Sequence, residues 1–231
     1  MTGRGPARSP GEGIVFKDMS PDAISADRKT VEPPVTPAAS TRPGAIILAR
    51  HGEPGLSRKV RLNAAQYADW WARYEQTGLL PGQTAPRRLI DQARRAGVIL
   101  SSTRIRSIET ARAVSGALEF QSHPELIEAP LPPPHWPSWL KLPPRHWGVI
   151  SRFWWWFFDH HDGQETRAQA EARADAVADR LARLAEQGDV LVLAHGFFNT
   201  LIGRSLSRRG WRLAEDQGFK YWSMRRFERR R

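Results

Sequence analysis

The sequence predicts an α/β fold: a three-layer α/β/α sandwich around a mostly parallel central sheet. Two observations predict it. Short apolar runs of strand length recur at residues 45–49, 98–101 and 189–194, and each is followed by a segment of helical character. The runs are apolar throughout rather than alternating, as strands covered on both faces are.

The first run, AIILA at 45–49, follows Pro43-Gly44 and reads as a buried central strand. Residues 63–77 read as a helix, with Asn63 as N-cap and Gly78 as the stop. Pro86 to Ala96 reads as a second helix closed by Gly97, and VILS at 98–101 as the second buried strand. A helix is expected over 107–118, and Leu126-Ile127 is expected in a short third strand. Residues 130–147, rich in Pro and Trp, read as irregular. Residues 165–187 read as a long amphipathic helix, with Val177, Leu181 and Leu184 on one face and Gly188 as the stop. DVLVLA at 189–194 is the third strong strand, and a helix follows to about Ser207. Residues 219–227 read as an edge strand. Residues 1–43, rich in Pro, Gly, Ser and Thr, are expected to be a disordered tail ahead of a domain at 44–231, because so few large apolar residues cannot offset the entropy of ordering.

Composition narrows the chemistry. The chain of 231 residues has no cysteine, which excludes disulfides, thiolate metal sites and a cysteine nucleophile. The N-terminus shows no leader-type apolar run, and no stretch of about 18 apolar residues occurs, so a cytoplasmic protein without a transmembrane segment is expected. The net charge is +11, mostly from arginine. Guanidinium groups grip phosphate with two parallel hydrogen bonds, so the excess suits anionic ligands, and it equally suits solvated helix faces.

Three strand ends carry groups able to do chemistry: Arg50 and His51 after the first, Ser101, Ser102, Arg104 and Arg106 after the second, His195 after the third. Were these strands parallel neighbours, the groups would meet on one rim of the sheet, where open α/β folds bind ligands. Two histidines with two or more arginines make a pocket for a dianionic phosphate. A neutral imidazole can attack phosphorus and carry the phosphoryl group, while arginines neutralise the equatorial oxygens. His160-His161-Asp162 reads as a polar turn, since no further ligands stand at metal-binding spacing. Phe153-Trp154-Trp155-Trp156-Phe157-Phe158 is too short to span a bilayer; a lid, a core segment, an oligomer contact or an interfacial membrane patch each fit it.

Arg50-His51-Gly52-Glu53 after an apolar strand resembles the signature of the histidine phosphatase superfamily, in its phosphoglycerate-mutase-like branch. Ser101 to Ala111 resembles that family's second motif, with Arg106 ahead of Thr110-Ala111, and Leu193-Ala194-His195-Gly196 its late His-Gly. Gln164-Glu165-Thr166 with Arg173 resembles its Gly-Glu-Ser helix start more loosely. The resemblance implies a phosphoglycerate-mutase-like fold and a phosphohistidine on His51. Arg50 and Arg106 would then hold phosphate oxygens, and His195 would complete the pocket. It further implies a third arginine, for which Arg61 stands at the fitting distance with Arg58 as rival. Ser57 stands near the family's usual asparagine. Glu128 matches the general acid best, with Glu125 second. No metal or cofactor is implied, and the expected partner is a phosphorylated small molecule rather than nucleic acid. The reading is a phosphomonoester hydrolase. A mutase shares the same pocket, and a catalytically weak phospho-ligand-binding protein is the alternative outside the enzymes. Pro54, and the Pro-rich stretch after Glu128, depart from the family's pattern where substrate contacts arise.

Overall fold

The structure, a computed structural model, describes residues 43–230. All but the last residue of the expected tail lies outside them. A six-stranded sheet runs in the order β3-β2-β4-β1-β6-β5. The strands are β1 (Ile46–Arg50), β2 (Val98–Ser102), β3 (Gln121–His123), β4 (Val190–Ala194), β5 (Trp211–Asp216) and β6 (Met224–Arg229). The first four named in that order are mutually parallel, while β6 is antiparallel to both β1 and β5.

Alternation along β1 builds the three layers. Ile46 and Leu48 face a core that includes α5 (Arg167–Leu184) and α6 (Gly196–Arg208), through residues such as Val177, Leu181, Phe198 and Ile202. Ile47 and Ala49 face α2 (Arg87–Arg95) and α3 (Ile105–Ser115), through Leu89, Ala93, Ala111 and Val114. A third cluster stands apart from both. It joins α1 (Ala64–Gln76) to α4 (Pro144–Phe158) through Tyr67, Trp70, Tyr74 and Trp147. Asn63 caps α1 as its sequence predicts, with a reciprocal bond from Gln66.

Three expectations differ from the structure. The third strand is Gln121–His123, not Leu126-Ile127. Pro124 has no N–H to offer a ladder and opens a 3-10 turn that carries Leu126 into the core. The segment read as irregular gives way to α4 from Pro144 onward, because proline at the first turn costs a helix nothing. The C-terminal strand is interior rather than an edge, since β5, which sequence reading missed, pairs outside it. The arginines this places inside the sheet are paired: Arg225 with Asp216 at 3.1 Å and Arg226 with Asp189 at 3.2 Å.

Candidate active site

The order β2-β4-β1 makes the three motif-bearing strands parallel neighbours, with Arg50 opposite Ala194 and Ser101 opposite Leu193. Their C-terminal ends therefore meet. His51, Arg106 and His195 come together there at 2%, 0% and 1% exposure.

Arg106 is the hub. Its Nε donates to His51 Nε2 at 3.3 Å, and its Nη2 donates to His195 Nδ1 at 3.3 Å and to Glu75 Oε1 at 2.7 Å. Its Nη1 donates to the carbonyls of Tyr74 and Glu75 at 3.0 and 3.2 Å. All of a guanidinium's N–H donors are thus engaged. Glu75, which sequence reading missed, anchors it, and the other Glu75 oxygen lies 2.7 Å from Arg104 Nε.

A guanidinium only donates, so these contacts set both imidazole tautomers. His51 Nε2 is bare, and its Nδ1–H donates to Gly52 O at 2.7 Å. His195 Nδ1 is bare, and its Nε2–H donates to Ser102 Oγ at 2.9 Å. Burial, then the charges of Arg106 and Arg50, hold His51 well below the usual imidazole range. Burial and Arg106 do the same to His195. The glycine of Arg50-His51-Gly52 has a steric reason. A Cβ there would stand 2.3 Å from the Trp222 ring, whose backbone N–H donates to His51 O at 3.3 Å.

These residues floor a cavity of about 470 Å³. Arg50 lines it, with its guanidinium carbon 4.3 Å from the Tyr221 ring centre. Arg58 lines it too and donates to Tyr74 Oη at 3.3 Å. Arg61 does not. It is exposed, and it donates to Lys141 O at 2.8 Å outside the cavity. Ser57 is likewise exposed and does not line the cavity, its hydroxyl accepting from Lys59 N at 3.2 Å. Of the two arginines in the irregular 51–62 loop, both exposed, it is Arg58 and not the preferred Arg61 that lines the cavity.

Glu128 is the one carboxylate among the described residues lining the cavity. Glu125 instead pairs with Arg180. Glu128 Oε1 accepts from Ala129 N at 3.1 Å and from Phe198 N at 2.8 Å, and Oε2 accepts from Phe197 N at 3.2 Å. It therefore caps the start of α6, with one acceptor position open on Oε2. Arg173 grips Glu165 with two bonds of 2.7 Å and donates to the carbonyls of Glu125 and Ile127, fixing the segment that carries Glu128. The upper walls are aromatic, with Tyr67, Trp70, Trp71 and Tyr74 from α1, and Arg152 from α4 lies 3.5 Å from the centre of the Phe197 ring. Burial lowers Arg152 to about 10.

The family model for the histidine phosphatase superfamily (branch 1) matches residues 46–230. The chain belongs to this superfamily. No curated protein matches it significantly. Among solved structures, this histidine phosphatase is similar to a phosphoserine phosphatase from Entamoeba histolytica at 15% identity and a TM-score of 0.47, covering 71% of this chain and 80% of that one. It is also similar to a mycobacterial glucosyl-3-phosphoglycerate phosphatase at 17% identity and a TM-score of 0.45, covering 78% and 85%. Among the described residues of this superfamily member, no group of three or more His, Asp or Glu is arranged to hold a metal ion. His160 of the polar turn bonds to Pro133 O at 3.0 Å.

Proposed function

We propose that this histidine phosphatase hydrolyses phosphomonoesters through a phosphohistidine on His51. The observation that carries the reading is the pair of bare imidazole nitrogens, His51 Nε2 and His195 Nδ1, facing one edge of the Arg106 guanidinium. That edge is the two-donor fork that fits two phosphate oxygens. A phosphoryl group entering there takes over the Nε and Nη2 donors and leaves the His51 Nε2 lone pair free to attack. Because His51 stays unprotonated well below the usual imidazole range, the nucleophile is ready at neutral pH.

In the first half-reaction, Nε2 forms the P–N bond and the ester P–O bond breaks. Glu128 enters this step as the carboxylic acid, its proton on the Oε2 position that Phe197 N leaves open, and the departing oxygen takes that proton. The Nδ1–H bond to Gly52 O holds the ring plane and supports the positive charge the ring acquires. Arg50 and Arg58 line the same space and offset charge on the equatorial oxygens. In the second half, water gives a proton back to Glu128 and its oxygen attacks phosphorus. The P–N bond breaks, its electrons return to Nε2, and phosphate leaves.

The test is steady-state hydrolysis of aryl and alkyl phosphates by wild type and His51→Ala, with a chelator present. The expected result is a loss of about three orders of magnitude or more in turnover in the variant, as when a nucleophile is removed. Turnover unchanged in His51→Ala contradicts the reading.

A further inference from the structure

The helix α4 has two opposed faces. Trp147, Ser151 and Trp155 are buried. Arg145, Val149, Phe153 and Phe157, each four residues apart, are exposed; Arg145 and Val149 stand at the cavity rim, and Phe153 and Phe157 lie off the cavity. Phe157 is 65% exposed, and its neighbour Phe158 is 64% exposed. The Phe153 ring centre lies 4.6 Å from that of Phe157 in a tilted pair and 6.0 Å from that of Phe158 edge-on, so the rings form one patch rather than scattered side chains. Trp139, just ahead of the helix, is 77% exposed. Water-facing aromatics in such number mark an interaction surface.

Charge is unevenly placed along the helix: Asp159 and Glu171 stand beside Phe157 and Phe158 at its C-terminal end, and its N-terminal end is basic. Residues 129–158 contain no Asp or Glu, and neither do residues 54–68. The exposed cations Lys59, Arg61, Lys141 and Arg145 come from these two segments. The segments are tied together where α4 begins. Leu62 and Leu142 exchange backbone bonds at 2.9 Å, Trp147 Nε1 donates to Leu62 O at 2.6 Å, and Arg61 donates to Lys141 O. Cations therefore gather at the N-terminal end of a helix whose outer face is aromatic. This is the composition of a helix that lies in a membrane interface, rings toward the acyl boundary and cations toward anionic headgroups. The same helix forms part of the cavity wall, through Arg145, Gly148, Val149 and Arg152.

We infer that the outer face of α4 docks on an anionic phospholipid bilayer and brings the cavity to the headgroup layer, where the substrate is a lipid phosphomonoester. The docking surface stands on its own observations. The substrate class rests on the phosphatase reading above, and the reaction is the same, with the lipid alcohol leaving as the P–O bond breaks and water consumed. The aromatic upper wall suits the apolar part of such a molecule, and the arginine floor suits its phosphate.

The experiment uses the full chain and three vesicle types: phosphatidylcholine alone, and phosphatidylcholine with about 30% of either phosphatidylglycerol or phosphatidic acid. Flotation reads docking, and phosphate release reads turnover of phosphatidic acid against soluble p-nitrophenyl phosphate. Two variants are compared, Phe153→Ser/Phe157→Ser/Phe158→Ser and Lys59→Glu/Lys141→Glu, whose changed residues all lie off the cavity lining. Wild type is expected to float with anionic vesicles about tenfold more than with neutral ones. Both variants are expected to lose that binding and hydrolysis of phosphatidic acid while keeping turnover of the soluble ester. Wild type that stays unbound with anionic vesicles overturns the docking surface, as does variant binding equal to wild type. So does a stable dimer that hides the aromatic face and does not open onto vesicles. Docking with turnover of the soluble ester alone overturns the lipid substrate. Docking without turnover of any ester supports the surface and refutes the phosphatase reading.

Discussion

The floor and the cap of the cavity are built on opposite plans. The floor stands on the ends of β1, β2 and β4, and its two histidines and Arg106 are joined in one hydrogen-bonded unit with Glu75. The cap is aromatic, assembled from α1 and α4, with rings in stacked and tilted pairs such as Tyr67 with Trp70 and Trp147. Each floor group is held by a bond of defined direction, so its geometry tolerates little change. Cap residues contribute area and shape, which substitution alters by degrees. On the proposed function, chemistry sits on the rigid plan and recognition on the adaptable one.

Glu128 belongs to both plans, capping α6 while lining the cavity. Glu128→Gln is expected to lower turnover of alkyl phosphates by roughly 10²–10⁴-fold and to leave p-nitrophenyl phosphate much less affected, since a good leaving group needs no proton. An equal loss on both esters, with a lowered melting temperature, would make Glu128 a helix cap alone. Arg106→Met tests the rigidity of the floor. It is expected to cost about 10²–10³-fold in turnover. Glu75 keeps Arg104 as a partner, so the accompanying loss of stability, read by urea unfolding, should fall below the about 3–5 kcal/mol of an uncompensated buried charge.

The floor also predicts a pH dependence of stability. His51 and His195 are held well below 6.5 in the folded protein by burial and by Arg106. As pH falls below about 6.5 the unfolded chain takes up protons that the folded floor refuses. Stability is therefore full above that pH and is lost as pH drops toward the lowered folded values, at up to about 2.7 kcal/mol per pH unit for the two groups together. His51→Asn should show a visibly shallower fall between pH 7 and 5 in urea titrations; an unchanged slope would mean that His51 does not resist protonation. The smallest effect belongs to the cap. Trp71→Ala should raise KM for aromatic esters by up to about tenfold and leave kcat unchanged. A large fall in kcat would mean that the two plans are not separable.

The same contrast explains what was legible in the sequence. His51, Arg106 and His195 were legible because each follows an apolar run, and strand ends in a parallel sheet meet by topology alone. Glu75 was not, because its role depends on how α1 lies across the strand ends, which no periodicity encodes. Arg58 and Arg61 share one irregular loop, where spacing says nothing of which side chain lines the cavity. Helix α4 was missed because Pro143-Pro144 reads as a breaker and six aromatics in succession show no period. Tyr221 and Phe219 reach the site from the β5–β6 turn, far along the chain, with no local signal.

The central claim is tested most directly by trapping the intermediate. Wild type is mixed with a ³²P-labelled phosphomonoester, quenched in alkali within a turnover and analysed for protein-bound label. The account predicts label that is stable to alkali and lost in acid, present in Glu128→Gln and absent in His51→Ala. Label that persists in His51→Ala, or wild-type turnover with no protein-bound phosphate at any time, would contradict it.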